Sequence, residues 1–233
     1  MEQDNIWSYN QTIGIDSFTG SAPRLRYLVK KIKSGKRVLN IGIGNAGFEF
    51  FAQTRGIDIY SLDPDNTSIE NARLRLNVGE QFQAGRVEKI PFESNYFDYV
   101  VMSEVIEHLN QEILLKGLAE VKRVLKQDGK FIGTVPSNEN LGLNLTICPN
   151  CDTKFHRWGH VTSFSASTLE STLTDHFNLI VIKDVFFSEG LEDGIKRAII
   201  GKLKSLASHL NISTYGAARN LYFEVQRKVD DLV

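Results

Sequence analysis

The sequence predicts an α/β fold in which a doubly wound, mostly parallel sheet of seven strands carries helices on both faces. Three observations support this prediction. Short apolar runs alternate with amphipathic segments along most of the chain. Turn-forming residues, mainly glycine, asparagine and aspartate, separate these segments. The intervals between most strands are long enough for a helix, which a connection between parallel strands requires.

The first half of the chain contains three predicted strands. An irregular arm ends at Gly20, and the helix that follows has Pro23 in its first turn, where proline lacks only an N–H that would be unpaired anyway. Gly35 ends this helix. The predicted strands are residues 37–41, 57–62 and 81–84, and the helices between them are residues 48–53 and 66–76.

The second half contains the remaining four strands. They are predicted at residues 97–102, 130–135, 179–182 and 221–226. The helices are predicted at residues 113–125 and 169–177, and a basic amphipathic stretch covers residues 195–210. Residues 136–164, after the fifth strand, form a small insertion that contains both cysteines and two histidines.

We expect residues 1–233 to form a single domain. Residues 1–34 form its arm and first helix, residues 136–164 its inserted loop, and residues 190–215 a lid or an interface helix. The aromatic residues Trp7 and Tyr9 of the arm are expected either to cover a substrate or to join the core. A homodimer is a further expectation. The basic stretch is expected to be a solvated helix packed on the sheet; alternatively, it covers a substrate, packs against a dimer partner or contacts a membrane surface.

Composition limits the function classes. Lys and Arg total 27 and Asp and Glu total 28, so the net charge is −1, whereas proteins that wrap nucleic acid usually carry a basic excess. The start of the chain has no basic and apolar signal segment, and no run is long enough to span a membrane. We therefore expect a cytoplasmic protein. Its two cysteines are too few for a disulfide framework.

A glycine-rich loop follows the first strand directly. Its sequence, GIGNAG at residues 42–47, lets a ligand approach the main chain closely. Asp63 ends the second strand 21 residues after Gly42, where a carboxylate can accept both ribose hydroxyls of an adenosine. These features predict a cofactor that contains adenosine. By themselves they do not separate a nicotinamide dinucleotide from S-adenosylmethionine.

Four segments in order resemble the class I S-adenosylmethionine-dependent methyltransferases of the methyltransferase-11/23 type. They are VLNIGIG at 38–44, EKIPFESNYFD at 88–98, SEVIEHL at 103–109 and LKQDGK at 125–130. The resemblance runs from about Lys36 to Val135, with a weaker match to about Ile182. It implies a Rossmann-like fold, S-adenosyl-L-methionine as the cofactor and a transferase activity.

The resemblance also implies a set of cofactor-binding residues. They are Asn40, Gly42, Gly44, Asn45, Asp63, Val87, Glu88 and Ser103. Two positions depart from the family pattern. Asn40 stands where the family usually has an acidic residue, and Arg86 stands where an aspartate often reads the adenine amino group. Main-chain groups near Val87 are therefore expected to contact the adenine.

The segment EVIEH at residues 104–108 is the candidate for the chemistry. On a helix, Glu104, Glu107 and His108 would share one face. The segment resembles the metal-binding segment of quinone-biosynthesis O-methyltransferases and of small-RNA 2′-O-methyltransferases. In the latter a further histidine completes the site, and His160 matches it. This implies a Mg²⁺ or Mn²⁺ site of Glu104, Glu107, His108 and His160, with His108 and Glu104 as catalytic residues. Alternatively, Glu107 and His108 only cap a helix or bind the backbone.

A second metal site competes for the same histidine. Cys148, Cys151, His156 and His160 have a spacing close to that of a zinc knuckle, and a tetrahedral Zn²⁺ would stabilise the inserted loop. The alternative is a reduced, solvent-facing pair of cysteines. His160 does not readily serve both metals.

Three functions remain open from the sequence. The first is O-methylation of a small molecule with hydroxyl groups, such as a sugar, polyketide or phenol, assisted by a divalent metal that lowers the pKa of the hydroxyl. The second is a nicotinamide-dependent oxidoreductase. The third is a nucleic-acid-binding module that uses a zinc knuckle on a methyltransferase-like body.

Overall fold

The computed structural model of the chain describes residue 6 and residues 20–188, 194–209 and 219–228. The arm aromatics Trp7 and Tyr9 lie outside the described residues, as do parts of the predicted 190–215 segment. None of the described helices is long and apolar enough to cross a membrane.

The described strands form one large sheet and one small one. The large sheet has seven strands, β1 Arg37–Ile41, β2 Asp58–Asp63, β3 Phe82–Ala84, β4 Phe97–Ser103, β5 Leu125–Pro136, β8 Phe177–Phe186 and β9 Arg219–Arg227. Their order is β3-β2-β1-β4-β5-β9-β8, and only β9 runs antiparallel to its neighbours. The small sheet is a hairpin of β6 Leu145–Ile147 and β7 Lys154–His156. The predicted mostly parallel sheet of seven strands is confirmed.

Six helices are described. They are α1 Ala22–Lys30, α2 Gly47–Gln53, α3 Asn66–Leu76, α4 Gln111–Val124, α5 Ala166–Thr174 and α6 Ile195–His209. Side chains cap three of them at the start, because Asp65, Asn110 and Ser165 each accept a hydrogen bond from a main-chain N–H of the first turn of α3, α4 and α5.

Two apolar clusters cover the two faces of the large sheet. Successive strand residues alternate between them, so that Val100 packs with α4 and α5 while Val101 packs with α1, α2 and α3. In β5, Phe131 and Ile132 divide in the same way. Alternation of side chains along a strand produces this division, and it confirms helices on both faces.

The element boundaries differ from prediction in two informative places. The helix predicted to end at residue 125 ends at Val124, and β5 begins immediately at Leu125. Phe177 opens β8 instead of closing a helix, because its ring packs against Phe131 in the core. The β6–β7 hairpin within residues 136–164 was not predicted, since strands of three residues are too short to show periodicity.

The strand order places a switch point between β1 and β4. The chain moves outward from β1 through β2 to β3, then returns to add β4 on the other side of β1. The loops after β1 and β4 therefore leave the sheet in different directions and open a crevice at its carboxyl edge. Ligands of open α/β sheets bind in this crevice.

A buried polar triad lies directly behind this crevice. The Glu49 carboxylate is fully buried and accepts hydrogen bonds from Asn40 Nδ2 at 2.6 Å and Ser61 Oγ at 2.7 Å. Its other oxygen has no hydrogen-bond partner. Burial raises the pKa of Glu49 from 4.5 to about 7, although the two hydrogen bonds oppose this shift.

The raised pKa predicts how stability depends on pH. A carboxyl whose pKa is higher in the folded state stabilises the fold fully below pH 4.5, and this contribution is lost as the pH rises towards 7. The glutamine side chain of Glu49→Gln stays neutral at every pH. At pH 8 we therefore expect the free energy of unfolding of this variant to exceed that of the native chain by about 3 kcal/mol. At pH 4 the two should be nearly equal. Urea unfolding across this pH range measures the difference.

The control for this prediction is Glu93→Gln, because Glu93 is exposed. It should follow the native chain at every pH. A Glu49→Gln variant that is less stable than the native chain at pH 8 would contradict a raised pKa of the buried Glu49.

Candidate functional site at the carboxyl edge of the sheet

The glycine loop lies at the carboxyl end of β1, against the segment that follows β4. Gly42 has a φ of 89° and Gly44 a φ of 51°, a conformation that favours glycine. A Cβ atom on Gly42 would lie 2.6 Å from Cγ2 of Val105. The loop therefore turns away from β1 in direct contact with the residues that contain the candidate catalytic groups.

Asp63 fixes this loop to the end of β2. One carboxylate oxygen accepts a hydrogen bond from the Ile43 N–H at 2.9 Å, and the other accepts one from the Asp65 N–H at 2.9 Å. The side chain is buried. Each carboxylate oxygen can accept more than one hydrogen bond, so these contacts leave acceptor capacity for a ligand hydroxyl.

Asn40 supports the loop from below. Its side-chain amide donates to the Gly42 carbonyl at 3.3 Å as well as to Glu49. Where the family usually has an acidic residue, this chain thus has an amide that is hydrogen-bonded to a carboxyl nine residues further along. The acidic group is retained next to β1, but it belongs to α2.

The other predicted cofactor residues lie along the same edge. Asn45 is exposed, and its side-chain oxygen accepts a hydrogen bond from the Gly47 N–H at 3.2 Å. The Val87 side chain is buried in the core, so it offers a ligand only its main chain. Glu88 is half-buried. Ser103 Oγ accepts a hydrogen bond from Arg24 Nε at 2.9 Å and lies 3.0 Å from Thr134 Oγ1.

Glu104 does not share a helical face with Glu107 and His108, and that prediction is wrong. Its φ of 58° lies in the left-handed region, and only a short 3₁₀ turn, Ile106–His108, follows it. The carboxylate oxygens of Glu104 each lie 3.0 Å from Asn220 Nδ2, and Arg24 Nη1 lies 3.9 Å away. The left-handed residue breaks the helical path, so Glu104 belongs to a polar group at the ends of β4 and β9.

Glu107 and His108 instead join a Glu/His cluster, which we define as Glu107, His108, Glu139, His156 and His160. Possible ligand atoms of Glu107, His108 and His160 all lie within 4.8 Å of one another, and so do those of Glu139, His156 and His160. His160 is common to both groups. The cluster therefore combines the end of β4 with the inserted loop after β5.

Hydrogen bonds orient the imidazoles of this cluster. His160 Nδ1 lies 2.5 Å from Glu139 Oε2, and His108 Nδ1 lies 3.2 Å from the Gly159 carbonyl oxygen. Both partners are acceptors, so Nδ1 of each ring is the donor and Nε2 is the atom left to face the cluster. His156 has the opposite arrangement, because its Nδ1 accepts the His160 N–H at 3.1 Å.

The charge states of the cluster suit a bound cation. Glu107 is 1% exposed, and neither carboxylate oxygen has a hydrogen-bond partner. Burial, followed by the nearby Glu104 charge, raises the pKa of Glu107 well above 4.5. Burial lowers the pKa of His108 to about 3, which keeps its ring neutral. A buried carboxyl without a hydrogen-bond partner is costly, and a further group that entered the cluster would reduce this cost.

The structure does not bring together the four residues of the predicted zinc knuckle. Cys148 and Cys151 flank the turn of the β6–β7 hairpin, and both are free thiols. Among the described residues, no group of three metal-ligating atoms includes either cysteine. His156 and His160 instead face Glu139.

Sequence reasoning missed three site residues, namely Arg24, Glu139 and Asn220. Glu139 carried a usable signal, because it follows the carboxyl end of β5 by three residues and that edge holds the site. Asn220 lies at the start of β9, which reaches the same edge only because this strand is antiparallel. Nothing in the sequence marks Arg24 within α1.

Comparison with known proteins agrees with this geometry. Residues 39–133 match a family model described as a methyltransferase domain. The ubiquinone/menaquinone biosynthesis C-methyltransferase UbiE of Citrifermentans bemidjiense is 35% identical over 117 residues, which cover 46% of this chain and 49% of that protein. The chain thus matches about half the length of this curated relative.

Two solved structures share the fold over nearly the whole chain. A chain from the complex between the Haloferax volcanii Trm112 methyltransferase activator and a methyltransferase has a TM-score of 0.67 at 16% identity, covering 96% of this chain and 98% of that one. The Burkholderia thailandensis 1,6-didemethyltoxoflavin-N1-methyltransferase with bound 1,6-didemethyltoxoflavin and S-adenosylhomocysteine has a TM-score of 0.66 at 14% identity, covering 97% and 87%.

The matched domain, the order of the seven strands and the glycine loop with its acidic partner agree with one another. Residues 39–133 are thus similar in sequence and fold to the methyltransferase domain of the class I S-adenosylmethionine-dependent methyltransferases.

Proposed function

We propose that this protein transfers the methyl group of S-adenosylmethionine to a hydroxyl oxygen of a small molecule, with a divalent cation assisting. The observation that carries the proposal is the buried, unpartnered Glu107 carboxyl beside the Nε2 atoms of His108 and His160. This group lies at the same sheet edge as the glycine loop. Names of relatives do not fix the atom that is methylated, since they include a C- and an N1-methyltransferase.

The cofactor would lie along the carboxyl edge from β3 to β4. Gly42 and Gly44 let it approach the main chain, and Asp63 accepts hydrogen bonds from its ribose hydroxyls. Main-chain groups of Val87 and Glu88 would contact the adenine, and Ser103 would lie near the methionine end. S-adenosylmethionine supplies a methyl group on a positively charged sulfur, so the chain has mainly to align the acceptor and exclude water.

Glu107, His108 and His160 would hold the cation. One carboxylate and two imidazoles suit Mn²⁺ or Zn²⁺ better than Mg²⁺, which prefers oxygen ligands alone. Glu139 would be a positioning residue, because it accepts the Nδ1 proton of His160 and so directs Nε2 towards the site. Glu104, part of the metal set predicted from sequence, lies with Arg24 and Asn220 instead.

A bound divalent cation lowers the pKa of a coordinated hydroxyl and so favours its attack on the methyl group. The residues of this chain would orient that hydroxyl. Two adjacent hydroxyls could both reach a cation at this position, which suggests an acceptor with a vicinal diol.

The alternatives from the sequence gain no specific support. A nicotinamide-dependent oxidoreductase has no counterpart among the relatives compared, and a nucleic-acid module would need the zinc knuckle that the described residues do not assemble. The cytoplasmic location and the homodimer stay predictions.

Asp63→Asn tests the cofactor site. Asparagine removes the charge and places an amide N–H towards the main-chain donors that the carboxylate now accepts. We expect affinity for S-adenosylhomocysteine to fall by more than about tenfold, as the loss of a charged hydrogen bond predicts. Isothermal titration calorimetry measures it at a temperature where thermal melting shows the variant folded. Asp128→Asn, at an exposed position outside the proposed cofactor site, is the control; equal affinity of native and Asp63→Asn chains would contradict the assignment.

Glu107→Gln tests the cation site. The amide is a far weaker ligand than a carboxylate, so we expect Mn²⁺ affinity to fall by more than about 100-fold, and Glu139→Gln to lower it by about 10- to 100-fold through His160. Electron paramagnetic resonance of free and bound Mn²⁺ gives both affinities without an activity assay. The matched control is Glu112→Gln, at an exposed position of α4, which should bind Mn²⁺ like the native chain.

Zinc content distinguishes the Glu/His cluster from the zinc knuckle as the metal site. We expect Cys148→Ser protein purified without chelators to hold the same metal as the native chain. If Glu107→Gln keeps its zinc and Cys148→Ser loses it, the metal site is the zinc knuckle and not the Glu/His cluster.

A further inference from the structure

The helix α6, Ile195–His209, presents an apolar surface to solvent. The large apolar side chains at positions 195, 199, 200, 203 and 206 are each more than half exposed. We call these five residues the α6 stripe. Because successive residues of an α-helix turn by about 100°, the stripe covers one continuous side of α6. Gly201, the buried residue among the described positions of α6, lies on roughly the opposite side. The stripe therefore faces away from the protein body.

Positive charges flank the stripe. At about 100° per residue, Lys202 lies at one margin of the stripe and Lys204 at the other, while Lys196 lies within its angular range at the start of α6. The sequence contains no aspartate or glutamate from residue 194 to residue 218, although the whole chain has a net charge of −1. The charged residues of the 194–218 segment are thus all basic. Long lysine side chains beside an apolar stripe can place their charges at the level of lipid head groups while the stripe enters the acyl region.

We infer that α6 lies in the surface of an anionic lipid bilayer. An apolar side with lysines along its margins and no acidic residue is the pattern of an interfacial helix. The charge argues against a second copy as the occupant, because two α6 helices would bring lysines together without carboxylates to pair with them. The stripe also extends over about 16 Å of helix, more than a small acceptor needs.

The fold places α6 on the side of the molecule that carries the site. Its segment connects β8 to β9, and β8 is parallel to β5 while β9 is antiparallel. The end of β8 and the start of β9 therefore lie at the carboxyl edge of the sheet, where Asn220 contacts Glu104. A protein held through α6 would approach the bilayer from this side. The inference does not depend on the methyl transfer proposed above.

Vesicle sedimentation tests the inference with the full chain. The probes are vesicles of phosphatidylcholine alone and of phosphatidylcholine with one quarter phosphatidylglycerol. We expect binding to the anionic vesicles to be at least about tenfold tighter and to weaken in high salt, since lysines contribute through the surface potential. The double variant I199E/L203E should lose binding, and K202E/K204E should lose the preference for anionic vesicles. The control is Leu74→Glu, because Leu74 is equally apolar and 82% exposed, but lies on α3.

Each outcome of this experiment either supports or overturns the inference. Binding that I199E/L203E loses and Leu74→Glu keeps supports the inference, since the substituted side chains are exposed and both variants should melt like the native chain. If the native protein does not sediment with the anionic vesicles, the inference is overturned. Equal loss in the Leu74→Glu variant overturns it as well. Light scattering that shows a native dimer, converted to a monomer by I199E/L203E without vesicle binding by either, would assign the stripe to a second copy.

Discussion

The hydrogen bond from the Ile43 N–H to the Asp63 carboxylate is the contact on which the rest of the site depends. It joins the glycine loop after β1 to the end of β2, at the edge where the parallel strands terminate. The contact of Gly42 with Val105 extends this arrangement to the end of β4. A movement of the loop would thus displace both the proposed ribose contact and the segment that carries Glu107 and His108.

Buried carboxyl groups recur around this loop, and each has a distinct environment. Glu49 accepts two hydrogen bonds from neutral groups, so its pKa rises only to about 7. The Glu107 carboxylate oxygens have no hydrogen-bond partner among the described residues, and burial and the nearby Glu104 charge both disfavour the ionised form, although Arg24 opposes this effect. The buried position of Glu49 is explained by its hydrogen bond with Asn40, which supports the glycine loop through the Gly42 carbonyl. The Glu107 carboxyl has no such support among the described residues, and the proposed cation would be its partner.

The sequence predicted the strands, and the edge of the sheet at which they end, from local signals. Strand periodicity and the glycine loop are local signals, and parallel strands necessarily end at a common edge, so Asp63 and Ser103 could be placed together without coordinates. The left-handed conformation of Glu104 carried no comparable signal, because an isolated E-x-x-E-H segment is equally compatible with a helix. The partners Arg24 and Asn220 come from distant elements, and their approach depends on tertiary packing that periodicity does not encode.

The cysteine spacing illustrates the same limit in the inserted loop. Four potential ligands within 13 residues suggested one tetrahedral site. The short β6–β7 hairpin instead directs both histidines towards Glu139 while the cysteines stay at its turn. Ligand spacing therefore drew attention to the inserted loop and to His160, but it did not predict which residues His160 contacts.

The most direct test of the account is a crystal structure with S-adenosylhomocysteine and Mn²⁺, with anomalous data collected at the manganese edge. The account predicts the nucleoside at Asp63 and the glycine loop, and an anomalous peak coordinated by Glu107, His108 and His160. A nucleoside bound away from Asp63, or a metal peak at Cys148 and Cys151 with the Glu/His cluster empty, would contradict it.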